Sequence, residues 1–89
     1  MKIKNGFVLR KVANQYMAVP VGTRAKELHG MIALNETGAF FWEQLQSDRT
    51  KEELVSALLS EYEVDERTAS NSVERFVKEL REQGVLEDE

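Results

Sequence analysis

Cysteine is absent from this 89-residue chain, so neither a disulfide framework nor a thiolate metal site can form. Histidine occurs once, at His29 beside Gly30. A lone histidine without clustered carboxylates reads as a surface residue, and Ser56, Ser60, Ser70 and Ser72 have no histidine partner for a triad. Long apolar runs are missing too. None approaches the roughly 20 residues that a membrane span requires, and no charged-then-apolar leader opens the chain. The expectation is a cytoplasmic protein with no membrane partner. Basic excess is also lacking: the net charge is −4 and the pI about 5.1. Phosphate neutralisation supplies much of the affinity of nucleic-acid modules, so this balance argues against a nucleic-acid partner. Gly22-Thr23-Arg24 lacks the glycine spacing and the Lys-Ser/Thr of a phosphate loop. Glu52-Glu53 and Glu61/Glu63 read as solvated charge rather than an acid–base pair. Catalytic residues, metal ligands and a cofactor are therefore not expected, and the chain does not read as an enzyme.

What is present is one domain's worth of sequence, taken as residues 1–89. Phe7-Val8-Leu9-Arg10-Lys11-Val12 and Tyr16-Met17-Ala18-Val19-Pro20-Val21 read as strands around Ala13-Asn14-Gln15. Asn14 tolerates positive φ, which suits a tight hairpin. Pro20 cannot donate to a ladder, so the end of the second strand should lie on an edge. Gly22 to Gly30 reads as a polar connection, and Met31-Ile32-Ala33-Leu34 as a short third strand.

Three helices are expected after it. Asn35 is a fitting N-cap for the first, from about Glu36 to Leu45, its side chain accepting from Thr37 or Gly38. Thr50 with Glu53 forms a capping box for the second, whose stripe is Leu54, Val55, Leu58, Leu59 and Tyr62. Asp65 caps the third, with Ala69, Val73, Phe76, Val77 and Leu80 as its stripe and Gly84 as its stop. Val85 and Leu86 should fold back on the body, and Glu87-Asp88-Glu89 reads as a frayed tail. The sum is an α+β chain, winged-helix-like, with a three-stranded antiparallel sheet followed by a three-helix bundle.

Phe40, Phe41 and Trp42 cover a wide arc of the first helix. Core packing accounts for Phe41 and Leu45, while Trp42 stands between core packing and ligand contact because its indole N–H wants a partner. Arg67, Arg75, Lys78 and Arg81 span roughly 120° of the third helix, nearly opposite its apolar stripe. They form either an ordinary solvated face or a charged rim for an acidic peptide or DNA phosphates. Met31 to Leu34 carries none of the charges that usually blunt a sheet edge. Such an edge accepts an extended peptide by strand addition. On this reading Ile32→Pro removes an edge N–H.

The run Leu34-Asn35-Glu36-Thr37-Gly38-Ala39, with Trp42 and Leu45, resembles the signature of the PqqD-like family. Arg49-Thr50, Glu53-Leu54, Tyr62, Val64-Asp65, Val73, Phe76, Leu80 and Gly84-Val85-Leu86 agree in order, as do Arg10 and Pro20 before Gly22. The resemblance spans nearly the whole chain. It implies a RiPP recognition element: a non-catalytic peptide chaperone that binds the leader of a ribosomally made precursor and presents it to a maturase, commonly a radical S-adenosylmethionine (radical SAM) enzyme. The pathway would be pyrroloquinoline quinone (PQQ) biosynthesis or another maturation cluster. By position, the implied peptide-binding residues are Met31, Ile32, Ala33 and Leu34 on the third strand, with Val73 and Val77 on the third helix. Two alternatives remain: a winged-helix DNA-binding regulator using the basic residues of the third helix, and a structural module that forms a homodimer by strand exchange.

Overall fold

The computed structural model describes residues 1–22 and 31–87. The expected polar connection, with Thr23, Arg24 and His29, and the last two residues of the tail lie outside the described residues. The elements in order are β1 (Lys2–Ile3), β2 (Phe7–Val12), β3 (Gln15–Pro20), β4 (Ile32–Leu34), α1 (Glu36–Gln44), α2 (Lys51–Glu61), α3 (Glu66–Gln83) and β5 (Leu86–Glu87). Three helices thus follow a three-stranded antiparallel sheet of order β2-β3-β4, an α+β arrangement of winged-helix-like type. The chain divides into two compact units: Lys4–Glu43, and Met1–Ile3 with Gln44–Glu89.

The first unit holds the sheet and almost all of α1. The β2–β3 loop is two residues, because Val12 pairs with Gln15, so the hairpin is tighter than the three residues read from sequence. Ala13 and Asn14 have φ of 51° and 65°, the double positive φ of a type I′ turn. For Ala13 that conformation costs about 1–2 kcal/mol. The turn's twist matches that of the strands, and the pairing of six residues on each side sustains it. β3 is the central strand, yet β4 pairs only with Tyr16 to Ala18. Pro20 lies beyond that short partner, on the stretch of β3 that β4 leaves as an edge.

At the start of α1 the Asn35 Oδ1 accepts the Gly38 N–H at 2.7 Å, as the capping reading requires. A Cβ on Gly38 would sit 3.1 Å from that same oxygen, so glycine lets the cap close. Trp42 is only 1% exposed, and the Phe7 ring meets it edge-on with centroids 5.5 Å apart. The open choice for Trp42 therefore resolves to core packing. Phe41 is buried as well, and the half-buried Phe40 leans on it.

In the second unit α2 and α3 pack together. Thr50 and Glu53 close the capping box reciprocally, at 3.1 and 2.8 Å. The Asp65 Oδ1 accepts the Thr68 N–H at 2.7 Å. Ala69, Val73, Phe76, Val77 and Leu80 are buried, the whole stripe expected of α3, whereas in α2 only Leu54 and Leu58 of the expected five are buried: Val55 and Tyr62 are half-buried, and Leu59 is exposed. Gly84 ends α3 at φ 75°, a left-handed cap that a residue with a Cβ adopts only under strain. Val85 and Leu86 then return and are buried. Their anchor is a second, two-stranded sheet absent from the sequence reading: Ile3 pairs with Leu86 and Lys2 with Glu87. The Ile3 N–H also donates to the Leu45 carbonyl at 2.9 Å.

Candidate functional site

An antiparallel ladder alternates pairs that exchange hydrogen bonds with pairs that do not, so the turn fixes which backbone groups point where. A two-residue hairpin closes on a bonded pair, here Val12 with Gln15. Bonded pairs then recur at Arg10–Met17 and Val8–Val19. The next in the series is Gly6 with Val21, where the Val21 N–H donates to the Gly6 carbonyl at 2.8 Å, which fixes the phase. On β3 the groups of Tyr16 and Ala18 must therefore face β4. Their partners Leu34 and Ile32 use their own groups to hold the strand in place. Ala33, between them, directs its N–H and C=O to the free edge.

This corrects the sequence reading of Ile32. Its N–H belongs to the β3–β4 ladder, so Ile32→Pro would attack the sheet rather than its free edge. The phase was not legible without knowing the loop length.

Among the described residues β2 and β4 are the two edges of this sheet. The free edge of β2 carries Lys11, with Arg10 beside it, and charges of this kind discourage a further strand. Ile32, Ala33 and Leu34 carry none. Of the residues singled out from sequence, Met31 is 55% exposed just before the strand, Ala33 is exposed, Ile32 is half-buried and Leu34 is buried. A depression of about 490 Å³ opens where β4 ends, lined by Tyr16, Lys11, Leu34, Asn35 and Glu36 among others. The Lys11 ammonium lies 5.3 Å from the Tyr16 ring centroid there. The signal for this depression is the cross-strand pairing of Lys11, Tyr16 and Leu34, which sequence alone does not supply.

Val73 and Val77 belong to the other unit and are each 1% exposed. Arg67, Arg75, Lys78 and Arg81 are exposed on α3. Lys78 and Arg81 line a depression of about 280 Å³ with Lys51, Glu74, Val77 and Glu82, in which Lys51 bonds Glu74 at 3.0 Å. Three cations and two carboxylates line it together, so it is not a purely positive patch, and it takes in Lys78 and Arg81 but not Arg67 or Arg75. Among the described residues no group of three metal-ligating side chains converges, and no helix is long and apolar enough to cross a membrane.

The fold and edge define a winged-helix-like α+β protein in which β4, among the described residues, is a short, uncharged edge strand. The family model for "Coenzyme PQQ synthesis protein D (PqqD)" matches residues 11–86, and the chain belongs to that family. No curated protein matches the chain. Two solved structures are similar to it. The structure of TbiB1 in complex with the TbiA(beta) leader peptide is 25% identical, with a TM-score of 0.75 over 100% of this chain and 98% of that one. A lasso peptide synthetase B1 complexed with the leader peptide is 19% identical, with a TM-score of 0.70 over 94% of this chain and 93% of that one; it shares the fold.

Proposed function

We propose that this chain binds the leader of a ribosomally made precursor peptide by strand addition on β4 and presents it to a maturation enzyme, without chemistry of its own. The observation that carries the reading is the uncharged edge at Ala33, free among the described residues, in a chain of the PqqD family. Both similar structures hold leader peptides, which supports it. Each main-chain bond contributes about 0.5–1.5 kcal/mol net, whereas a micromolar complex needs about 8. The three-residue edge is therefore insufficient alone, and side-chain anchors supply the rest. Met31 and the depression at Tyr16 are the proposed anchors in the sheet-bearing unit. Val73 and Val77, each 1% exposed, are proposed as peptide contacts of the helical unit on the strength of the family resemblance alone. A radical SAM enzyme is the proposed recipient, with the whole chain acting as one peptide-binding domain. A homodimer by strand exchange would occupy the same edge and so compete with the leader.

The test is an amide NMR titration of labelled protein with the leader of a precursor encoded beside its gene. Shifts should concentrate on Met31 to Leu34. Ala33→Pro deletes the free N–H and should weaken binding up to about tenfold while the fold survives on an edge. A folded Ala33→Pro protein that binds as tightly as the wild type rules out strand addition here.

A further inference from the structure

Residues directly paired across an antiparallel sheet share a face, and each strand alternates faces with period two. Val8, Arg10 and Val12 of β2, Gln15, Met17 and Val19 of β3, and Ala33 of β4 therefore lie on one face. Phe7, Leu9, Lys11, Tyr16, Ala18, Ile32 and Leu34 lie on the other, the face on which Phe7 meets Trp42. A wet face of an antiparallel sheet normally alternates to polar residues. This one does not: Val8 is 36% exposed and Val12 56%, with Met17 and Val19 half-buried beside them. Among the described residues, four of the five exposed large apolar side chains (Val8, Val12, Val21 and Met31) fall in this unit. Val8 and Val12 flank Arg10 on this face, and exposed apolar side chains gathered on one face mark an interaction site where scattered ones do not.

Charge identifies the occupant. Arg10 stands between Val8 and Val12 and opposite Met17, at the centre of the patch. No strand of this sheet contains an Asp or Glu to balance it. By sequence, Lys4–Glu43 has five Lys/Arg against three Asp/Glu, net +2, while the remaining residues have seven against thirteen, net −6. The patch therefore calls for an apolar surface with a carboxylate. Arg and Met are enriched at the cores of protein interfaces, whereas membrane-surface elements use Trp and Phe, and every aromatic ring in these strands is on the opposite face.

We propose that the outer face of the β2-β3-β4 sheet docks the maturation enzyme through an apolar surface on that enzyme whose carboxylate pairs with Arg10. This inference rests on the leader-presenting reading above. The centre of the face lies on β2 and β3, about 5–10 Å from the β4 edge at the ordinary strand spacing. An enzyme held there leaves the edge open for the peptide.

The test uses the purified maturation enzyme encoded beside this gene, immobilised, with the full chain, Arg10→Glu and Val12→Asp as analytes, each checked for folding by its amide spectrum. Enzyme binding is measured without leader, and leader binding separately. Both variants should lose about tenfold or more in enzyme affinity, as central interface residues do. Their leader affinity should stay within about twofold of wild type, because the sites are distinct. Folded variants that bind the enzyme like the wild type overturn the proposal, as does a wild-type chain that does not bind the enzyme. Arg10→Glu serves alone if Val12→Asp does not fold. Vesicles of phosphatidylcholine and phosphatidylglycerol at 3:1 test the other surface: co-sedimentation of the wild type that Val12→Asp abolishes overturns the proposal in favour of a membrane. Failure to bind leader with enzyme binding intact overturns the leader reading and leaves the docking face standing.

Discussion

Single side chains at the helix starts determine much of this structure, and they were the residues most open to reading in advance. Asn35, Thr50 and Asp65 each cap where a short polar side chain precedes an apolar period, because the cap bond spans only three residues. Asn35→Ala removes the acceptor for the Gly38 N–H and should cost about 1 kcal/mol. For a domain of this size that is a fall of roughly 4–8 °C in Tm, measurable by thermal circular dichroism. Asp65 adds a pH dependence. The Thr68 backbone N–H, and then the Thr68 side chain, favour its carboxylate and lower its pKa below the ordinary 3.8. A depressed folded pKa means stability that is present above about pH 4 and lost as the pH falls through the lower folded value. Asp65→Asn keeps the cap without the titration, so its Tm should fall less between pH 5 and pH 3 than that of the wild type. Equal falls would show that Asp65 does not contribute to acid unfolding.

At the level of elements, local pattern and long-range pairing part company. The strands of the hairpin and all three helices announced themselves through period and punctuation. β1 and β5 did not, since two-residue strands have no period and their partners lie more than 80 residues apart in the chain. The faces of the sheet were also hidden. Phe7-Val8-Leu9 is apolar on both sides, so no alternation distinguishes the buried side from the exposed one. The edge at β4 was legible as an absence of charge, but the residue presenting its free groups was not, because that depends on whether the turn holds two residues or three. A paired control follows from the same phase: Ile32→Pro should disorder β4 and lower Tm, whereas Ala33→Pro should leave Tm nearly unchanged. Amide spectra of the two variants decide it.

For the whole molecule, the net charge of −4 conceals a segregation into a cationic sheet-bearing unit and an anionic helical one. The segregation gives a salt test between the leading reading and the regulator alternative. A strand held by main-chain bonds and apolar anchors should change affinity by less than about threefold between 50 and 200 mM salt. A duplex binder making one phosphate contact from each of the four basic residues of α3 loses about 100-fold over that range. Fluorescence anisotropy with a labelled leader and a labelled DNA duplex separates the two. Steep salt dependence with tight duplex binding would favour the regulator.

Ala33 has a double membership. Its amide and carbonyl belong to the free edge, while its methyl belongs to the outer face centred on Arg10. One residue thus borders both proposed occupants, and a side chain of one methyl would leave them little means of sensing each other. Enlarging that methyl would make each occupant sense the other, and linkage requires the effect to be reciprocal. With the leader on the edge and the enzyme on the outer face, as proposed, the size of this side chain would set the cooperativity between cargo and recipient.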